Sequence, residues 1–223
     1  MIGPVDRPLE ASRRQALLFA GEDAELPLPE GLWRGRSFFD STTVAAQAAA
    51  IAHAAPFRQM RVPGGGLMSV AMTNCGVAGW VADEHGYRYS HTDPLTGQRW
   101  PALPEAWRHL AHRAATAAGF VGFEPDVCLI NRYASGARMG LHRDSDEADL
   151  RQPIVSFSLG ASAEFLWGGL HRRDPVRRVP LHEGDALVWG GPVRLAYHGV
   201  APLRPRGGPP ERLNLTFRRA LAG

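Results

Sequence analysis

The stretch Leu141-His142-Arg143-Asp144-Ser145-Asp146 decides how the fold of this chain is interpreted. Side chains alternate between the two faces of a β-strand, so His142 and Asp144 are predicted to lie on the same face. A second histidine, His198, follows much later in the chain. Two imidazoles and one carboxylate form the facial triad that holds non-haem Fe(II) in oxygenases. The pattern therefore predicts a metal site made by these three residues.

A His-x-Asp pair alone is a weak indication of a metal, because both residue types are common on protein surfaces. The C-terminal stretch Arg212-Leu213-Asn214-Leu215-Thr216-Phe217-Arg218 strengthens the prediction, since it places two guanidinium groups on one predicted strand beyond His198. The alternative is an ordinary alternating strand whose polar residues point to solvent. Combined with the triad, the stretch favours a buried site for an acidic co-substrate.

Length and composition indicate a soluble globular enzyme. The chain has 223 residues, of which 44% are hydrophobic and 21% charged, enough for one domain with or without an extension. No apolar run is long enough to span a membrane, and the N-terminus lacks a signal peptide. Cys75 and Cys128 make no disulfide framework, so a reducing, cytoplasmic setting is expected.

The charge of the chain is mildly basic. Its formal net charge is +3, and all 25 cationic residues are arginines. Arginine binds phosphate through a planar fork, which suits a nucleic-acid partner. A composition bias of the genome would also explain the arginines, so the charge permits such a partner without establishing it.

The order of elements predicts an α+β fold that is mainly β. Residues 1–35 are predicted as an N-terminal extension containing a strand or two, and residues 36–223 as the functional domain. One helix is expected between Asp40 and Pro56, and a second from Pro104 to Gly119. Strands are then expected at 126–133, 154–159, 164–167, 177–181, 186–189, 194–198 and 212–218. Many short strands behind N-terminal helices favour a β-sandwich or jelly roll.

The segment from Asn74 to Trp100 differs in composition from the rest of the chain. It is rich in glycine and aromatic residues, which include Trp80, Tyr87 and Tyr89. We interpret it as a surface lid that presents aromatic rings to a planar ligand. The alternative is that these aromatic rings pack a long loop onto the body of the domain.

Several motifs together resemble those of the AlkB family of Fe(II)/2-oxoglutarate-dependent dioxygenases, which repair alkylated nucleic-acid bases. The resemblance runs from about residue 55 to 219 and rests on Asn131-Arg132-Tyr133, His142-x-Asp144, Trp189-Gly190-Gly191, Tyr197-His198-Gly199 and Arg212-x-Asn214-Leu215-Thr216-Phe217-Arg218. It implies a double-stranded β-helix, a cupin-like jelly roll, with a nucleotide-recognition lid at about 56–100. The first fifty or so residues match poorly.

The resemblance also implies a role for each site residue. Fe(II) is expected on His142, Asp144 and His198, leaving three positions of an octahedral ion for 2-oxoglutarate and dioxygen. The 2-oxoglutarate pocket is expected to be made by Asn131, Tyr133, Arg212, Asn214 and Arg218. Arg212 fits the distal carboxylate, because a guanidinium can bind a carboxylate through two parallel hydrogen bonds.

The implied substrate is an alkylated base that is single-stranded or flipped out of a duplex, because a base inside a duplex cannot reach a buried iron. Trp80 and the ring of His142 would stack on the base. The adjoining backbone would be held by Tyr87, Arg88 and Tyr89, with Arg172 as a further contact. Asp146 would favour a cationic methylated base, since a carboxylate attracts it. The alternative for Asp146 is a solvated carboxylate in an acidic loop.

The expected function is therefore oxidative demethylation of bases such as 1-methyladenine and 3-methylcytosine in DNA or RNA, coupled to conversion of 2-oxoglutarate into succinate, with release of formaldehyde. We expect a monomer without a membrane partner. One alternative is a 2-oxoglutarate oxygenase that acts on a small molecule or a protein, and another is a non-enzymatic cupin-like binding module with a structural metal. Gly66 and Arg143 depart from the pattern of relatives and bear on the substrate range.

Overall fold

The computed structural model of the protein describes residues 27–205 and 208–221. The helices are α1 (Ser41–Ala54) and α2 (Glu105–Ala117), and a short 3₁₀ turn covers Gly191–Val193. The strands are β1 (Leu32–Gly35), β2 (Arg58–Arg61), β3 (Leu67–Gly76), β4 (Gly79–Asp83), β5 (Gly86–Ser90), β6 (Val127–Tyr133), β7 (Met139–His142), β8 (Ile154–Gly160), β9 (Ala163–Trp167), β10 (Arg177–Leu181), β11 (Ala186–Trp189), β12 (His198–Val200) and β13 (Arg212–Arg218).

Two antiparallel sheets face each other and form the predicted jelly roll. The larger has the order β1-β11-β8-β13-β6-β3-β2, and the smaller has the order β10-β9-β12-β7. Aromatic rings of the two sheets meet in the space between them, where Phe165 lies 5.7 Å from Trp189. Strands β4 and β5 form a separate hairpin. The jelly-roll prediction is confirmed.

Both helices cover the outer face of the larger sheet. The carboxylate of Asp40 accepts hydrogen bonds from the backbone N–H groups of Thr42 and Thr43, and it thereby caps α1 as predicted. Helix α2 buries Trp107 edge-on against Phe217 of β13, with ring centroids 6.2 Å apart. The helices therefore leave the inner face of this sheet free to build a pocket.

Strand β13 shows how one sequence serves both faces of the sheet. Leu213, Leu215 and Phe217 point to the helices and belong to that apolar core. Arg212, Asn214, Thr216 and Arg218 alternate with them and line the space between the two sheets. Arg212 is 1% exposed and Arg218 is 6% exposed, so the alternative of a solvent-facing polar strand is wrong.

One predicted strand, 194–198, is wrong in position. The chain turns there, because the backbone N–H of Arg194 donates to the Gly191 carbonyl and that of Ala196 donates to the Val193 carbonyl. These short-range bonds occupy donors that a strand ladder would need. Pairing begins only at His198, the first residue of β12.

Residues 1–26, which make up most of the predicted N-terminal extension, lie outside the described residues. The end of that segment does join the domain, because β1 pairs antiparallel with β11 at the edge of the larger sheet. The boundary at residue 36 stays a prediction. Across 27–205 and 208–221, neither helix has the length and apolar character needed to cross a membrane.

The predicted lid region contains two kinds of aromatic residue. Trp80 in β4 and Tyr87 in β5 line the pocket between the sheets. Trp100 is instead 5% exposed and packs in the core, and its indole N–H donates to the Ser90 carbonyl. Trp100 thus packs onto the body of the domain, whereas Trp80 and Tyr87 lie at the pocket, where their binding of a planar ligand stays a prediction.

Candidate active site

A cavity of about 460 Å³ lies between the two sheets and reaches the β4–β5 hairpin. It is lined by most of the predicted site residues, namely Trp80, Tyr87, Asn131, Tyr133, His142, Asp144, Asp146, His198, Arg212, Asn214 and Arg218. Arg88, Tyr89 and Arg172 do not line it. One compartment thus brings together the predicted metal, co-substrate and stacking residues.

His142, Asp144 and His198 converge at one end of this cavity. A nitrogen or oxygen ligand atom from each lies within 4.8 Å of the other two. The histidines are opposed partners on β7 and β12, and their ring centroids are 4.5 Å apart. Nε2 of His142 lies 3.7 Å from Oδ1 of Asp144, and Nε2 of His198 lies 3.8 Å from Oδ2. This cluster of two imidazoles and one carboxylate could hold a divalent metal ion.

Both histidines present the ring nitrogen that a metal needs. Nδ1 of His142 is 2.9 Å from the Gly140 carbonyl, and Nδ1 of His198 is 3.0 Å from the Ala196 carbonyl. A carbonyl oxygen only accepts, so each Nδ1 carries the proton and each Nε2 keeps a free lone pair. Burial, together with His142, lowers the pKa of His198 to about 4, which keeps that ring neutral at neutral pH.

Asp144 is placed by side chains from other strands rather than by strand alternation. Strand β7 ends at His142, so Asp144 lies beyond it, and the strand rationale behind the His-x-Asp prediction is wrong. Nε and Nη2 of Arg218 donate to Oδ2 of Asp144 at 3.0 and 2.7 Å. Burial raises the pKa of the carboxyl, but Arg218 and the two histidines outweigh burial and hold that pKa well below its usual range. Asp144 is therefore ionised, as a metal ligand must be.

Sequence reasoning missed two residues that support Asp144. Arg194 is 3% exposed; its Nη1 donates to the Asp144 backbone carbonyl at 2.7 Å and its Nη2 to Glu147 at 3.0 Å. Glu147 also lies 3.2 Å from Nε of Arg218. The sequence predicts only a strand at 194–198 for Arg194 and assigns Glu147 no role. Their pairing spans 47 positions of sequence, so no local pattern could reveal it.

Arg212 is a buried cation with unpaired hydrogen-bond donors, which suits the binding of an anion. Its Nη2 donates to Ser158 Oγ at 2.8 Å, whereas its buried Nε and Nη1 have no partner in the described part of the chain. Burial lowers the pKa of Arg212 to about 10, and the side chain remains cationic at neutral pH. Unpaired buried donors cost free energy unless a ligand satisfies them. Arg212 therefore fits the distal carboxylate of 2-oxoglutarate.

The other predicted co-substrate residues surround Arg212. Tyr133 on β6 is its cross-strand partner, and Asn131 is the partner of Asn214. Asn214 donates to Ser156 Oγ at 2.7 Å and accepts from Thr216. Oδ1 of Asn131 and Nη1 of Arg218 are buried without a partner among the described residues. The donors and acceptors of the pocket thus suit an oxygen-rich acid.

Known proteins resemble this chain in sequence and in fold. The family model described as the 2OG-Fe(II) oxygenase superfamily matches residues 35–218, almost the whole described domain. The chain belongs to this superfamily. It is 56% identical over 173 residues to the alpha-ketoglutarate-dependent dioxygenase AlkB of Escherichia coli (strain K12), which covers 76% of this chain and 80% of that protein. The chain is therefore a member of the AlkB family, as predicted.

Two further relatives widen this comparison. The nucleic acid dioxygenase ALKBH1 of Mus musculus is 35% identical over 121 residues, which are 54% of this chain and 31% of that protein. A solved structure of OsALKBH1 superposes with a TM-score of 0.77 at 30% identity, covering 87% of this chain and 99% of that one. As a Fe(II)/2-oxoglutarate dioxygenase of the AlkB family, the chain is an enzyme that uses Fe(II), 2-oxoglutarate and dioxygen. The alternative of a non-enzymatic binding module is wrong.

The lid of this AlkB-family enzyme holds its central tryptophan in a defined orientation. The indole N–H of Trp80 donates to Oδ2 of Asp146 at 2.8 Å. The Trp80 ring stacks on Tyr87, with ring centroids 5.3 Å apart and planes 13° from parallel. Asp146 is exposed and its carboxylate accepts from the lid, so its role in selectivity stays a prediction beside the alternative of a solvated carboxylate.

The three remaining predicted substrate residues have partners within the protein. The Tyr89 hydroxyl donates to Glu147 at 2.8 Å, and burial raises the pKa of this phenol well above its usual range. Arg88 forms a two-bond pair with Asp83 on the hairpin surface. Arg172 donates to the Leu141 carbonyl at 3.1 Å. Their contacts with a substrate stay a prediction.

Proposed function

We propose that this enzyme oxidatively demethylates alkylated bases, such as 1-methyladenine and 3-methylcytosine, in single-stranded or flipped-out DNA or in RNA. In the overall reaction, one atom of dioxygen enters succinate and the other enters the methyl group, which leaves as formaldehyde. Carbon dioxide is the remaining product of 2-oxoglutarate. The relatives support this assignment, because AlkB is named as an alpha-ketoglutarate-dependent dioxygenase and ALKBH1 as a nucleic acid dioxygenase.

The observation that carries the proposal is the placement of an aromatic lid at the mouth of the metal pocket. Trp80 and Tyr87 line the same cavity as His142 and Asp144. A nucleobase presents a planar face that stacks on an aromatic ring, and such stacking contributes roughly 1–3 kcal/mol per base. A lid of this kind binds a flat heterocycle better than it binds a flexible metabolite or a peptide.

His142, Asp144 and His198 would hold the iron, which supplies activation of dioxygen when bound. Arg212 would bind the distal carboxylate of 2-oxoglutarate through its unpaired Nε and Nη1. Arg218 keeps Asp144 ionised and oriented. The pocket would hold the methyl group close to the oxidant, which raises the effective concentration of the reacting groups.

Asp146 would contribute selectivity. Methylation at N1 of adenine or N3 of cytosine makes the base cationic at neutral pH. A carboxylate and an aromatic face both attract a cation more strongly than a neutral base. Because Asp146 accepts from Trp80 and lines the pocket, it would meet the charged edge of a base stacked on the lid.

Two arginines beside the metal pocket would attract the nucleic-acid backbone. The guanidinium carbons of Arg143 and Arg172 lie 5.6 and 5.8 Å from the centre of the Tyr197 ring. Neither arginine forms an ion pair with a carboxylate in the described part of the chain. Two exposed positive charges on one aromatic ring are suited to a phosphodiester.

We further propose a monomer in a cytoplasmic setting. Cys75 and Cys128 are free, buried thiols, as expected in a reducing compartment.

Mass spectrometry of methylated oligonucleotides tests the function directly. With iron, 2-oxoglutarate and air, 1-methyladenine and 3-methylcytosine should lose their methyl group, and formaldehyde should form in equal amount. Omission of iron or of 2-oxoglutarate should prevent this reaction. Succinate formation without any loss of methyl groups from DNA or RNA would instead favour a small-molecule or protein substrate.

A further inference from the structure

The side chain of Asn74 holds the lid at Trp80. Asn74 lies in β3 and is fully buried, with 0% of its surface exposed. Its Oδ1 accepts from the backbone N–H of Trp80 at 3.1 Å, and its Nδ2 donates to the backbone carbonyl of Trp80 at 3.1 Å. One amide therefore satisfies both backbone polar groups of the residue that carries the lid indole.

These two bonds replace a strand ladder. Within the described sheets, β4 is paired only with β5, so the backbone of Trp80 has no other strand of the domain body as a ladder partner. A primary amide carries the same donor and acceptor as a peptide group, so Asn74 can act as a substitute for a neighbouring strand. It thereby connects the hairpin to β3 of the larger sheet.

Close packing keeps the amide in place. Gly79 directly precedes Trp80, and a Cβ atom at Gly79 would lie 2.7 Å from Cβ of Asn74 and 2.4 Å from the Trp100 ring. Only glycine allows this approach. The Asn74 amide is therefore confined between the lid and the core, with its two polar atoms directed at Trp80.

We propose that Asn74 is a positioning residue for base binding. By fixing the backbone of Trp80, it sets the indole between Tyr87 and Asp146 at the mouth of the pocket. This proposal rests on the proposed function, because it assigns the role of Asn74 through the stacking of a base on Trp80. Asn74 lines neither the metal site nor the cavity.

The first test is the kinetics of Asn74→Ala. If the base stacks on Trp80, loss of the alignment should raise KM for a methylated oligonucleotide by about tenfold, a value within the range of lost stacking energies. The KM for 2-oxoglutarate should stay within about twofold of wild type, because the co-substrate is bound by other strands. Asn74→Asp has the same shape and keeps the acceptor but not the donor, so it provides a second variant if alanine prevents folding.

A matched control is available on the same strand. Thr73 is also fully buried, and its hydroxyl donates to the Ala55 carbonyl on the helix side of the sheet. Thr73→Val removes one buried hydrogen bond from β3 without touching the lid. It should lower stability and leave the oligonucleotide KM unchanged. An equal rise of KM in Thr73→Val would show that Asn74 acts only through general stability.

A double-mutant cycle with Trp80→Ala tests whether the rise in oligonucleotide KM caused by Asn74→Ala depends on the indole ring. If Asn74 acts through the indole, Asn74→Ala should add less than about twofold to KM once the ring is gone. An undiminished tenfold effect in that background would overturn the proposal, as would a wild-type KM in both folded Asn74 variants.

Hydrogen exchange of the Trp80 amide provides a measurement that needs no substrate. Exchange should be faster in the Asn74→Ala protein than in wild type and unchanged in Thr73→Val. Failure of the proposed function would appear as an inactive wild type with normal protection at Trp80. Failure of the positioning role would appear as an active wild type whose Asn74 variants keep both protection and KM.

Discussion

The inner face of the larger sheet and the β4–β5 hairpin border the same pocket but are built differently. The sheet places Arg212 and Arg218 on a central strand that is paired on both sides, by β8 and by β6. The hairpin has two strands that pair with neither sheet, and it is attached to the body by the buried Val81 and Ala82 and by hydrogen bonds of Asn74 and Tyr89. The two sheets together form the rigid region and hold the predicted iron and co-substrate residues, with His142 and His198 on the smaller sheet, whereas the hairpin holds the stacking residues.

This difference indicates a division of tasks. Residues that bind iron and 2-oxoglutarate need fixed geometry, and the paired strands of the two sheets supply it, with Arg218 of β13 holding Asp144. A lid must admit and release a long polymer, which favours a region of lower local stability. Variants of the two regions should therefore fail in different ways.

The largest expected effect is in the rigid region, at the metal ligand. Asp144→Ala should lower iron-dependent succinate formation by a factor on the order of a thousand or more, since a metal centre contributes several kcal/mol. Asp144→Asn keeps the shape and controls for the loss of packing beside Arg218. Both should lose binding of Mn²⁺, measured by calorimetry. Near-normal turnover in either variant would contradict the assignment of the ligand.

The second largest effect is expected for Arg212→Ala, which should raise the KM for 2-oxoglutarate and leave the KM for the methylated oligonucleotide nearly unchanged. Truncation of a buried, charge-assisted contact costs about 2–5 kcal/mol, which corresponds to a rise in KM for 2-oxoglutarate of roughly 30-fold or more. Arg212→Lys should restore part of the loss, because it keeps the charge without the planar fork. Succinate formation measures both the KM for 2-oxoglutarate and the KM for the oligonucleotide, and only the first should rise. An unchanged KM for 2-oxoglutarate would remove Arg212 from its proposed role.

The attachment of the lid is tested by Tyr89→Phe. Loss of the hydroxyl leaves Glu147 with its two arginine partners, so the fold should persist with a loss of about 1.5 kcal/mol in the free energy of unfolding. Amide exchange should accelerate in β4 and β5 more than in β6 and β13. Uniform acceleration across all four strands would mean that the hairpin is not a separate unit of stability.

The smallest expected effect is on the exposed arginines. Arg143→Gln and Arg172→Gln should each weaken binding of a single-stranded oligonucleotide by a few-fold, and each should reduce the slope of log affinity against log salt by about one. Arg113→Gln removes the same charge from the exposed side of α2 and should change neither quantity by a comparable amount. Fluorescence anisotropy at three salt concentrations measures both. Equal slopes in all three variants would contradict the proposed phosphate contact.

The rigid region could be predicted from sequence because its information is local and periodic. Alternation along β13 placed Arg212 and Arg218 on one face, and the family motifs brought His198 to the same pocket. The exception is Asp144, which lies beyond β7. Its position depends on Arg194 and Arg218, which are distant in sequence, so the alternation of side chains along a strand cannot predict these contacts.

For the lid, only the composition of the segment carried information. Its glycine and aromatic content indicated a ring-bearing surface, but not that Trp100 would enter the core while Trp80 would stay at the pocket. The difference depends on tertiary hydrogen bonds, such as those from Asn74 to Trp80, that have no signature in spacing. The assignment of Tyr89 to the substrate shows the same problem, because its hydroxyl is bound to Glu147.

The two-faced character of β13 restricts how this enzyme can be re-engineered. Insertion of a single amino acid within the strand would exchange its faces, sending guanidinium groups toward the helices and leucines toward the co-substrate. Activity and folding would then be lost together, so such an insertion cannot change the activity while the fold is kept. Substitutions of exposed residues in the segment from Gly79 to Ser90, such as Tyr87 and Arg88, touch neither face of β13. Libraries intended to redirect the enzyme to other modified bases should vary such residues and leave Gly79, Tyr89 and β13 constant.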